Sequence, residues 1–380
     1  MENRYNFSVL GVLLNLPLAQ KGVSATSNLL LTGLQKSGNL YKVIDVEING
    51  IIRGLLIARN FHPNISHWRF KYHLDPLARK ARSIKASSLL QHDRGNYDAV
   101  IQIGSEFDLS SIQKLKGIPK FSYHDSNLIM YLNGAWALPK ATHRIQQALK
   151  YEHQVYENLT GIFTMTKCLR DVFINEFNVP KDKVFHVGLG VNLEDYSGSE
   201  KEYDGKTILF VARHIFEQKG GRVLLEAFKI VRKEIKDARL LLVGQHLNIS
   251  DAGVECIGFI DKSTEEGRKK LSYLYKKSSL FVMPSFYDAV GNVFLEAMSH
   301  RLPCIGADCC AMPELIVENN AGCVIPPGDS EALAKKIIYL LKDTKAMAEM
   351  GENGRRAVIQ KYNWRVVTQK VLRIIEHYVK

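Results

Sequence analysis

The feature that most constrains the fold is an alternation of strand and helix patterns that runs twice along the chain. In the first half, apolar runs such as Asn6–Leu14, Asp98–Ile103 and Gly161–Met165 alternate with amphipathic helix patterns. Around Leu193–Gly205 the chain becomes polar, and the alternation then starts afresh at Thr207–Ala212. Strands that alternate with helices form parallel sheets covered on both faces. The sequence therefore predicts two α/β domains, each built on a doubly wound parallel sheet.

Length and composition agree with two soluble domains. The chain has 380 residues, more than one ordinary core holds, and is 46% hydrophobic and 24% charged. No uncharged apolar run reaches the roughly 20 residues that a transmembrane helix needs. The net charge of +12 fits a generally basic surface, a polyanionic ligand or an anionic membrane surface.

Two further features bear on location. The cysteines show neither metal-ligand spacing nor an orderly disulfide framework, which favours a reducing cytosol; they are Cys168, Cys256, Cys304, Cys309, Cys310 and Cys323. Arg4 followed by FSVLGVLLNLPLA resembles a signal peptide, but Asn15 and Pro17 interrupt the apolar run. We interpret this run as the first buried strand.

The stretch with the most chemistry is PSFYDAVGNVFLEAMSHRLPC, Pro284–Cys304. A buried strand pattern precedes it, and Asn292–His300 has the pattern of a helix. Asp288 and Gly291 then lie on the strand-to-helix loop, with Glu296 one turn inside the helix. A helix start presents unpaired N–H groups that bind anions. A carboxylate beside them suits a sugar diol, so the stretch predicts a sugar-nucleotide site.

The second half opens with a cationic loop, ILFVARHIFEQKGG. Arg213 follows a strand, and Lys219 precedes two glycines before the next helix. Two cations can neutralise a diphosphate, and glycines let the backbone approach it. Taken alone, the two cations are more simply interpreted as solvated loop charges, but this loop and the Asp288–Glu296 loop would face the same cleft.

These motifs together resemble family 4 of the glycosyltransferases, which have the GT-B fold and retain anomeric configuration. The family's E-x-F-G-x-x-x-x-E-A signature stands here as D-A-V-G-N-V-F-L-E-A, from Asp288 to Ala297. VARHIFEQKGG, LLLVG ending at Gly244, MPELI and VGLGVN match other family segments. The resemblance covers nearly the whole chain and is strongest from Val184 to about Lys342. The first acid is Asp where the family has Glu.

The resemblance implies a role for each matching residue. Arg213 and Lys219 would bind the donor diphosphate and stabilise the charge on the leaving group. Glu296 would accept the ribose hydroxyls, and Asp288 would orient the donor sugar. The full predicted donor-binding set is Gly22, Arg213, Lys219, Gly244, Asp288, Ala289, Gly291, Asn292, Val293 and Glu296. No Asp-x-Asp pair occurs, so neither a metal nor another cofactor is expected.

In the first half the resemblance is weaker. Lys21-Gly22 occupies the place of the family's glycine loop, with one glycine where the family has two. His124, in SYHDS after a buried strand, matches a histidine near the donor sugar in relatives, and Asp125 could orient it. His124 is therefore predicted as catalytic, together with Asp288, Arg213 and Lys219.

The resemblance also implies the domain organisation. Residues 1–192 would form an N-terminal Rossmann-like acceptor domain, completed by a C-terminal helix at 363–380. Residues 193–205 would be a linker, and 206–362 would form the nucleotide-sugar donor domain across a central cleft. The basic stretch Trp68–Lys85 fits either a solvated helix face or a surface for an acceptor or an anionic membrane.

The sequence thus predicts a cytoplasmic retaining hexosyltransferase, in possible peripheral contact with the membrane. Its donor would be a UDP- or GDP-linked sugar, and its acceptor a glycan, lipid or small molecule; no nucleic acid is expected. The alternatives are a sugar-nucleotide epimerase, a phosphorylase, or a non-catalytic binding protein of the same fold. A dehydrogenase is disfavoured, because GLGVNL at Gly188 lacks the third glycine of a dinucleotide fingerprint.

Overall fold

A computed structural model describes residues 5–14, 29–134, 143–191, 201–213 and 215–379. The chain divides into two compact units of similar internal connectivity. Unit 1 comprises Met1–Gly188 and Val367–Lys380, and unit 2 comprises Leu189–Val366. The domain boundaries predicted at 192 and 363 lie a few residues from these positions.

In the part of unit 1 that the structure describes, six parallel strands form one sheet in the order β2-β1-β3-β4-β5-β6. The strands are β1 (Val9–Leu13), β2 (Leu40–Asp45), β3 (Ala99–Ile103), β4 (Lys120–His124), β5 (Gly161–Thr164) and β6 (Val184–His186). All five residues of β1 are buried, and β1 pairs with both β2 and β3. The prediction that this apolar run is an internal strand is confirmed.

The described residues of unit 1 also form helices. They are α1 (Leu29–Lys36), α2 (Gly50–Arg59), α3 (Ile65–His73), α4 (Pro76–Gln91), α5 (Leu128–Gly134), α6 (His143–Glu157), α7 (Lys167–Asn175) and the terminal α13 (Trp364–Val379). The sequence patterns did not predict α2 or α5. Helix α13 packs on unit 1, where Tyr378 lies 5.5 Å from Phe121 between ring centroids. Its apolar residues Val367, Val371, Leu372 and Ile375 are buried, as expected of core residues.

The basic stretch Trp68–Lys85, which runs from α3 into α4, is only partly a solvated face. Arg79 and Arg82 are 3% and 1% exposed. Their guanidinium groups lie 3.7 Å from Glu152 and 3.6 Å from Glu47, respectively. A membrane or acceptor surface that includes these two arginines is therefore wrong, because buried charges that pair internally are unavailable to a surface.

In the described part of unit 2, a second six-stranded parallel sheet has the order β12-β11-β10-β7-β8-β9. Its strands are β7 (Thr207–Ala212), β8 (Arg239–Gly244), β9 (Val254–Gly258), β10 (Leu280–Val282), β11 (Cys304–Ala307) and β12 (Gly322–Ile325). The helices are α8 (Gly221–Glu234), α9 (Glu265–Lys277), α10 (Asn292–Ser299), α11 (Ser330–Lys342) and α12 (Thr344–Gln360), with a π-helical turn at Pro313–Val317. The predicted parallel sheets of both halves are confirmed.

The strand order of unit 2 reverses between β7 and β10. From β7 the chain proceeds outward through β8 and β9, then returns to place β10 on the other side of β7. The connections after β7 and β10 therefore leave in opposite directions and open a crevice at the carboxyl end of the sheet. Open α/β sheets bind ligands at such a switch point. No helix among the described residues is long and apolar enough to cross a membrane.

Candidate functional site

Two loops meet at the switch point of unit 2. The backbone carbonyl of Gln218 accepts a hydrogen bond of 3.0 Å from the Phe286 N–H and one of 3.2 Å from the Ser285 hydroxyl. Gly220 has φ of 76°, and a Cβ there would lie 2.0 Å from the Pro284 carbonyl oxygen. Glycine is required at this close approach. The loop that carries Lys219 is thus fixed to the loop that follows β10.

The first ion pair of the site joins these loops. Lys219 Nζ donates to Asp288 Oδ2 at 2.8 Å, with side-chain exposures of 20% and 15%. The other oxygen, Oδ1, accepts the N–H of Gly291 at 3.0 Å. Asp288 therefore connects the cationic loop to the start of α10, with one oxygen paired to Lys219 and the other bonded to the helix start.

The start of α10 has the geometry expected of an anion-binding helix end. Gly291 is its N-cap with φ of 70°, and a Cβ there would lie 2.8 Å from Leu315 Cδ1. Asn292 and Val293 form the first helical positions and are half-buried, as is Ala289 in the loop. The first N–H groups of a helix have no partner inside the helix and carry the positive end of its dipole. A phosphate or sugar oxygen placed here would find donors already oriented.

Glu296 lies one turn inside α10 and is held by three hydrogen bonds. Lys262 Nζ lies 2.7 Å from Oε1 and 2.6 Å from Oε2, and the Tyr275 hydroxyl donates to Oε2 at 3.0 Å. The Glu296 side chain is 15% exposed and that of Lys262 is 44% exposed. An ionised carboxylate has about four lone-pair positions, so these contacts leave about one, on Oε1.

Sequence reasoning missed both partners of Glu296. Lys262 and Tyr275 are distant from it along the chain, and neither stands in a segment quoted for the family resemblance. One signal was present: Lys262 follows β9, an edge strand of the same parallel sheet, at its carboxyl end. A cation at that edge is a candidate neighbour for any acid at the same edge.

A histidine behind Glu296 holds this arrangement in place. His300 stacks on Tyr275 with ring centroids 4.9 Å apart. Its Nδ1 lies 2.8 Å from the Glu296 carbonyl oxygen and its Nε2 lies 2.9 Å from the Ser272 hydroxyl. Burial lowers the pKa of His300 to about 4, so the ring is neutral at pH 7. Because a carbonyl only accepts, Nδ1 carries the proton and Nε2 accepts from Ser272.

Arg213 directly follows the last residue of β7, and Gly244, the last residue of β8, lets the two strand ends come close together. The Arg213 guanidinium carbon lies 5.2 Å from the ring centroid of Phe259, and the residue is exposed. Gly244 has φ of 137°, and a Cβ there would lie 1.7 Å from the Ala212 carbonyl oxygen. Gly244 thus lets the ends of β7 and β8 approach closely, immediately before Arg213. Direct contact between Arg213 and a donor stays a prediction.

The site residues predicted in unit 1 are His124 and Gly22, and the structure describes the first of them. His124 is the last residue of β4 and is 2% exposed; its Nε2 lies 2.8 Å from Ser122 Oγ. Its ring lies 5.5 Å from that of Tyr156 and 5.1 Å from that of Phe173. Burial lowers the pKa of His124 to about 3, so the imidazole is neutral. Its contact with a substrate stays a prediction, and Gly22 lies outside the described residues.

The chain is similar to known proteins in the region that forms this site. Residues 205–343 match the family model described as Glycosyl transferases group 1. A phosphatidyl-myo-inositol mannosyltransferase of Mycobacterium leprae is 29% identical over 197 residues. That match covers 49% of this chain and 52% of the relative, so it spans about half of the relative's length. The resemblance to glycosyltransferases drawn from the motifs is confirmed.

Solved structures confirm the predicted GT-B fold. A sucrose-phosphate synthase from Thermosynechococcus elongatus superposes with a TM-score of 0.67 and 17% identity, covering 97% of this chain and 98% of that chain. HepE from Anabaena, solved in complex with UDP and glucose, superposes with a TM-score of 0.62 and 15% identity, covering 97% and 99%. At this level of identity the similarity concerns the fold.

Proposed function

We propose that the chain transfers a hexose from a nucleoside-diphosphate sugar to an acceptor hydroxyl, because residues 205–343 match the family model described as Glycosyl transferases group 1. The anomeric configuration would be retained. The donor would be UDP- or GDP-linked, in line with the UDP and glucose found in the similarly folded Anabaena protein. The acceptor would be a hydroxyl of a glycan, a lipid or a small molecule; the Mycobacterium leprae relative is named as acting on phosphatidyl-myo-inositol.

The observation that carries this proposal is the Lys219–Asp288 pair of 2.8 Å at the switch point, beside the start of α10. An ammonium group has three N–H donors, so Lys219 can keep its contact with Asp288 and also bind phosphate oxygens. Asp288 Oδ2 would then lie near both the phosphate and the attached sugar. This position suits a carboxylate that orients a sugar hydroxyl.

The chemistry follows from the charges. Departure of a nucleoside diphosphate places negative charge on its phosphate oxygens, and prearranged cations and N–H dipoles stabilise that charge. Lys219, Arg213 and the first turn of α10 would supply them, so the proposal requires no metal or other cofactor. In a same-face mechanism the leaving oxygen itself takes the acceptor proton, which gives retention without a covalent intermediate.

Glu296 would bind the ribose of the donor. Its carboxylate accepts a hydrogen bond from Tyr275, and His300 stacks on Tyr275 and bonds to the backbone carbonyl of Glu296. A ribose diol donates two hydrogen bonds and would compete with Lys262 for the oxygens. Because of this competition, Lys262 should lower the affinity of Glu296 for the donor.

The remaining parts of the proposal concern unit 1 and the cell. Unit 1 would bind the acceptor, with His124 near the donor sugar. The enzyme would act in the cytoplasm, in peripheral contact with an anionic membrane. A sugar-nucleotide epimerase and a non-catalytic binding protein of the same fold remain as alternatives, since the first acid is Asp288 where the family has Glu.

The experiment that tests the proposal has two stages. Thermal shifts with UDP, GDP and their sugars identify the nucleotide, because a ligand at 100 times its Kd stabilises the folded chain by about 2.7 kcal/mol. Donor hydrolysis is then measured for the wild type, Lys219→Ala and Glu296→Ala. Lys229→Ala is a matched control, because Lys229 forms an exposed pair with Asp251 on the surface of the same unit.

We expect the control to retain full activity and the two site variants to lose it. Conversion of the donor sugar without hydrolysis or transfer would favour the epimerase. Nucleotide binding without turnover would favour the binding protein. Full activity of the double variant Lys219→Ala/Glu296→Ala would contradict the assignment of the site.

A further inference from the structure

Helix α2 of unit 1 leaves most of its apolar side chains in solvent. In α2, all of whose residues are described, Leu56 is the buried residue. Ile51, Ile52 and Leu55 are 83%, 58% and 66% exposed. With a 100° rotation per residue these three positions fall within one side of the helix. The result is a helix whose exposed side carries three large apolar residues, with Arg59 at the end of the same side.

Exposed apolar residues follow α2 along the chain. Phe61 and Ile65 are 64% and 62% exposed. The Phe61 ring lies 5.4 Å from the ring of Trp68, and the Trp68 indole N–H donates to the Ile57 carbonyl at 2.8 Å. These contacts fix the segment around Phe61 to the end of α2. We call the surface of Ile51, Ile52, Leu55, Phe61 and Ile65 the α2 surface.

Two sets of contacts attach α2 firmly to unit 1. Leu56 packs with Ile48 and Ala78. At the end of the helix, Arg59 Nε lies 3.4 Å from Asp75 Oδ2, and Asp75 is fully buried. The apolar residues of the α2 surface are therefore presented by an anchored helix.

The exposed charges in the segment that carries the α2 surface are of one sign. Between Glu47 and Asp93 the sequence contains a single acidic residue, Asp75, which is buried. The exposed cations of the same stretch are Arg53, Arg59, Arg69, Lys71 and Lys80. An exposed apolar helix side in a segment whose exposed charges are all basic is typical of a helix that lies on an anionic bilayer.

We propose that the α2 surface docks on an anionic lipid bilayer, with Ile51, Ile52 and Leu55 inserted among the acyl chains and the arginines at the phosphate level. A second copy of the chain fits less well, because pairing of two such surfaces would bring like charges together. A helix of 10 residues spans about 15 Å, so it lies along the surface. This inference deepens the membrane contact in the proposed function, and its test needs no sugar donor.

The test is co-sedimentation of the full chain with vesicles of two compositions, phosphatidylcholine alone or mixed with phosphatidylglycerol. We expect binding to the anionic vesicles that weakens as salt rises. The variant Ile51→Glu/Leu55→Glu should bind at least about tenfold more weakly, since it removes two inserted side chains. Both residues are exposed, and an acid at position 51 is favourable in the first turn of a helix, so the fold should persist.

A matched control carries the same charge change on unit 2. Tyr339 and Ile359 are 58% and 48% exposed, on α11 and α12. Tyr339→Glu/Ile359→Glu should bind vesicles like the wild type, apart from a small effect of net charge. Arg53→Gln/Lys71→Gln should weaken binding to anionic vesicles and leave donor hydrolysis unchanged.

Three results would overturn the inference. They are an absence of binding to anionic vesicles, equal loss of binding in both Glu double variants, and a dimer in solution that Ile51→Glu/Leu55→Glu converts to a monomer. The last result would assign the α2 surface to a second copy. None of these results would bear on the proposed sugar transfer, because the donor assays test that proposal separately.

Discussion

Replacement of Lys262 by methionine should increase the affinity for a nucleoside diphosphate. In this structure Lys262 Nζ occupies one lone pair on each oxygen of Glu296, at 2.7 and 2.6 Å, and Tyr275 occupies another on Oε2. Of about four lone-pair positions, about one remains on Oε1. A ribose diol donates two hydrogen bonds, so at least one of these three contacts must break when the donor binds to Glu296. Lys262 is expected to yield, because its side chain is 44% exposed and Tyr275 is 1% exposed.

The expected magnitude is modest because the pair is partly exposed. The Lys262 side chain is 44% exposed and that of Glu296 is 15% exposed. An exposed ion pair contributes about 0.2–1 kcal/mol. If donor binding breaks that pair, Lys262→Met should lower the Kd by a factor of up to about five. Glu296→Gln should raise it by about 10- to 100-fold, since a hydrogen bond to a charged group contributes about 1.5–3 kcal/mol.

Isothermal titration with the diphosphate that the thermal shifts identify, and with its 2′-deoxy analogue, tests this reasoning. The deoxy analogue donates one hydrogen bond from the ribose, for which Oε1 already has room, so Lys262→Met should leave its Kd unchanged. Lys269→Met is the matched control, because Lys269 forms an exposed pair of 2.6 Å with Glu265 on α9. A tenfold loss of affinity in Lys262→Met for both ligands would refute the reasoning and make Lys262 a direct donor contact.

Further expectations concern the ion pair, a glycine and a buried histidine. In a transfer assay, Lys219→Met and Asp288→Asn should each lower kcat/KM by about 100-fold or more. The double variant should lose much less than the product of the two single losses, because the residues act as a pair. Losses whose free energies add would show that the two residues act independently. Gly244→Ala should cost about 3 kcal/mol or more in urea unfolding, because φ is 137° and a Cβ would overlap the carbonyl at the end of β7, whereas Gly54→Ala in α2 has open space around it and should be neutral or stabilising. Burial lowers the pKa of His124 to about 3, so between about pH 6.5 and 3 the unfolded chain binds a proton there that the folded chain does not. Stability should therefore fall as the pH falls through that window, and His124→Gln should show a shallower fall; identical pH profiles would exclude this contribution.

The organisation of unit 2 could be predicted closely from the sequence. The patterns placed β7 at Thr207–Ala212 and β12 at Gly322–Ile325, the bounds that the structure has. Asp288, Gly291 and Glu296 were predicted on the loop and first turns of α10, where they lie. These features are local: buried strands read as apolar runs, and a glycine with positive φ marks the start of the helix.

Unit 1 was harder to predict, and α2 shows why. Helix prediction relies on an apolar face that packs on a core, but α2 buries Leu56 and exposes Ile51, Ile52 and Leu55. Its sequence, GIIRGLLIAR, also contains an internal glycine and lacks an acidic first turn. The pattern therefore gave no indication of which side faces inward.

The sequence by itself determined the alternation of strands and helices, the family resemblance, and the residues at the switch point of unit 2. Only the tertiary structure decided which charges are paired. It buries Arg82 beside Glu47, while Arg53 remains exposed, and it brings Lys262 to Glu296 from the turn after β9. The physical reason is that the spacing of apolar residues along the chain indicates which face of a helix or strand is buried. This spacing is a local property of neighbouring residues. The free energy of a charge depends on solvent and on partners that only the folded chain brings together.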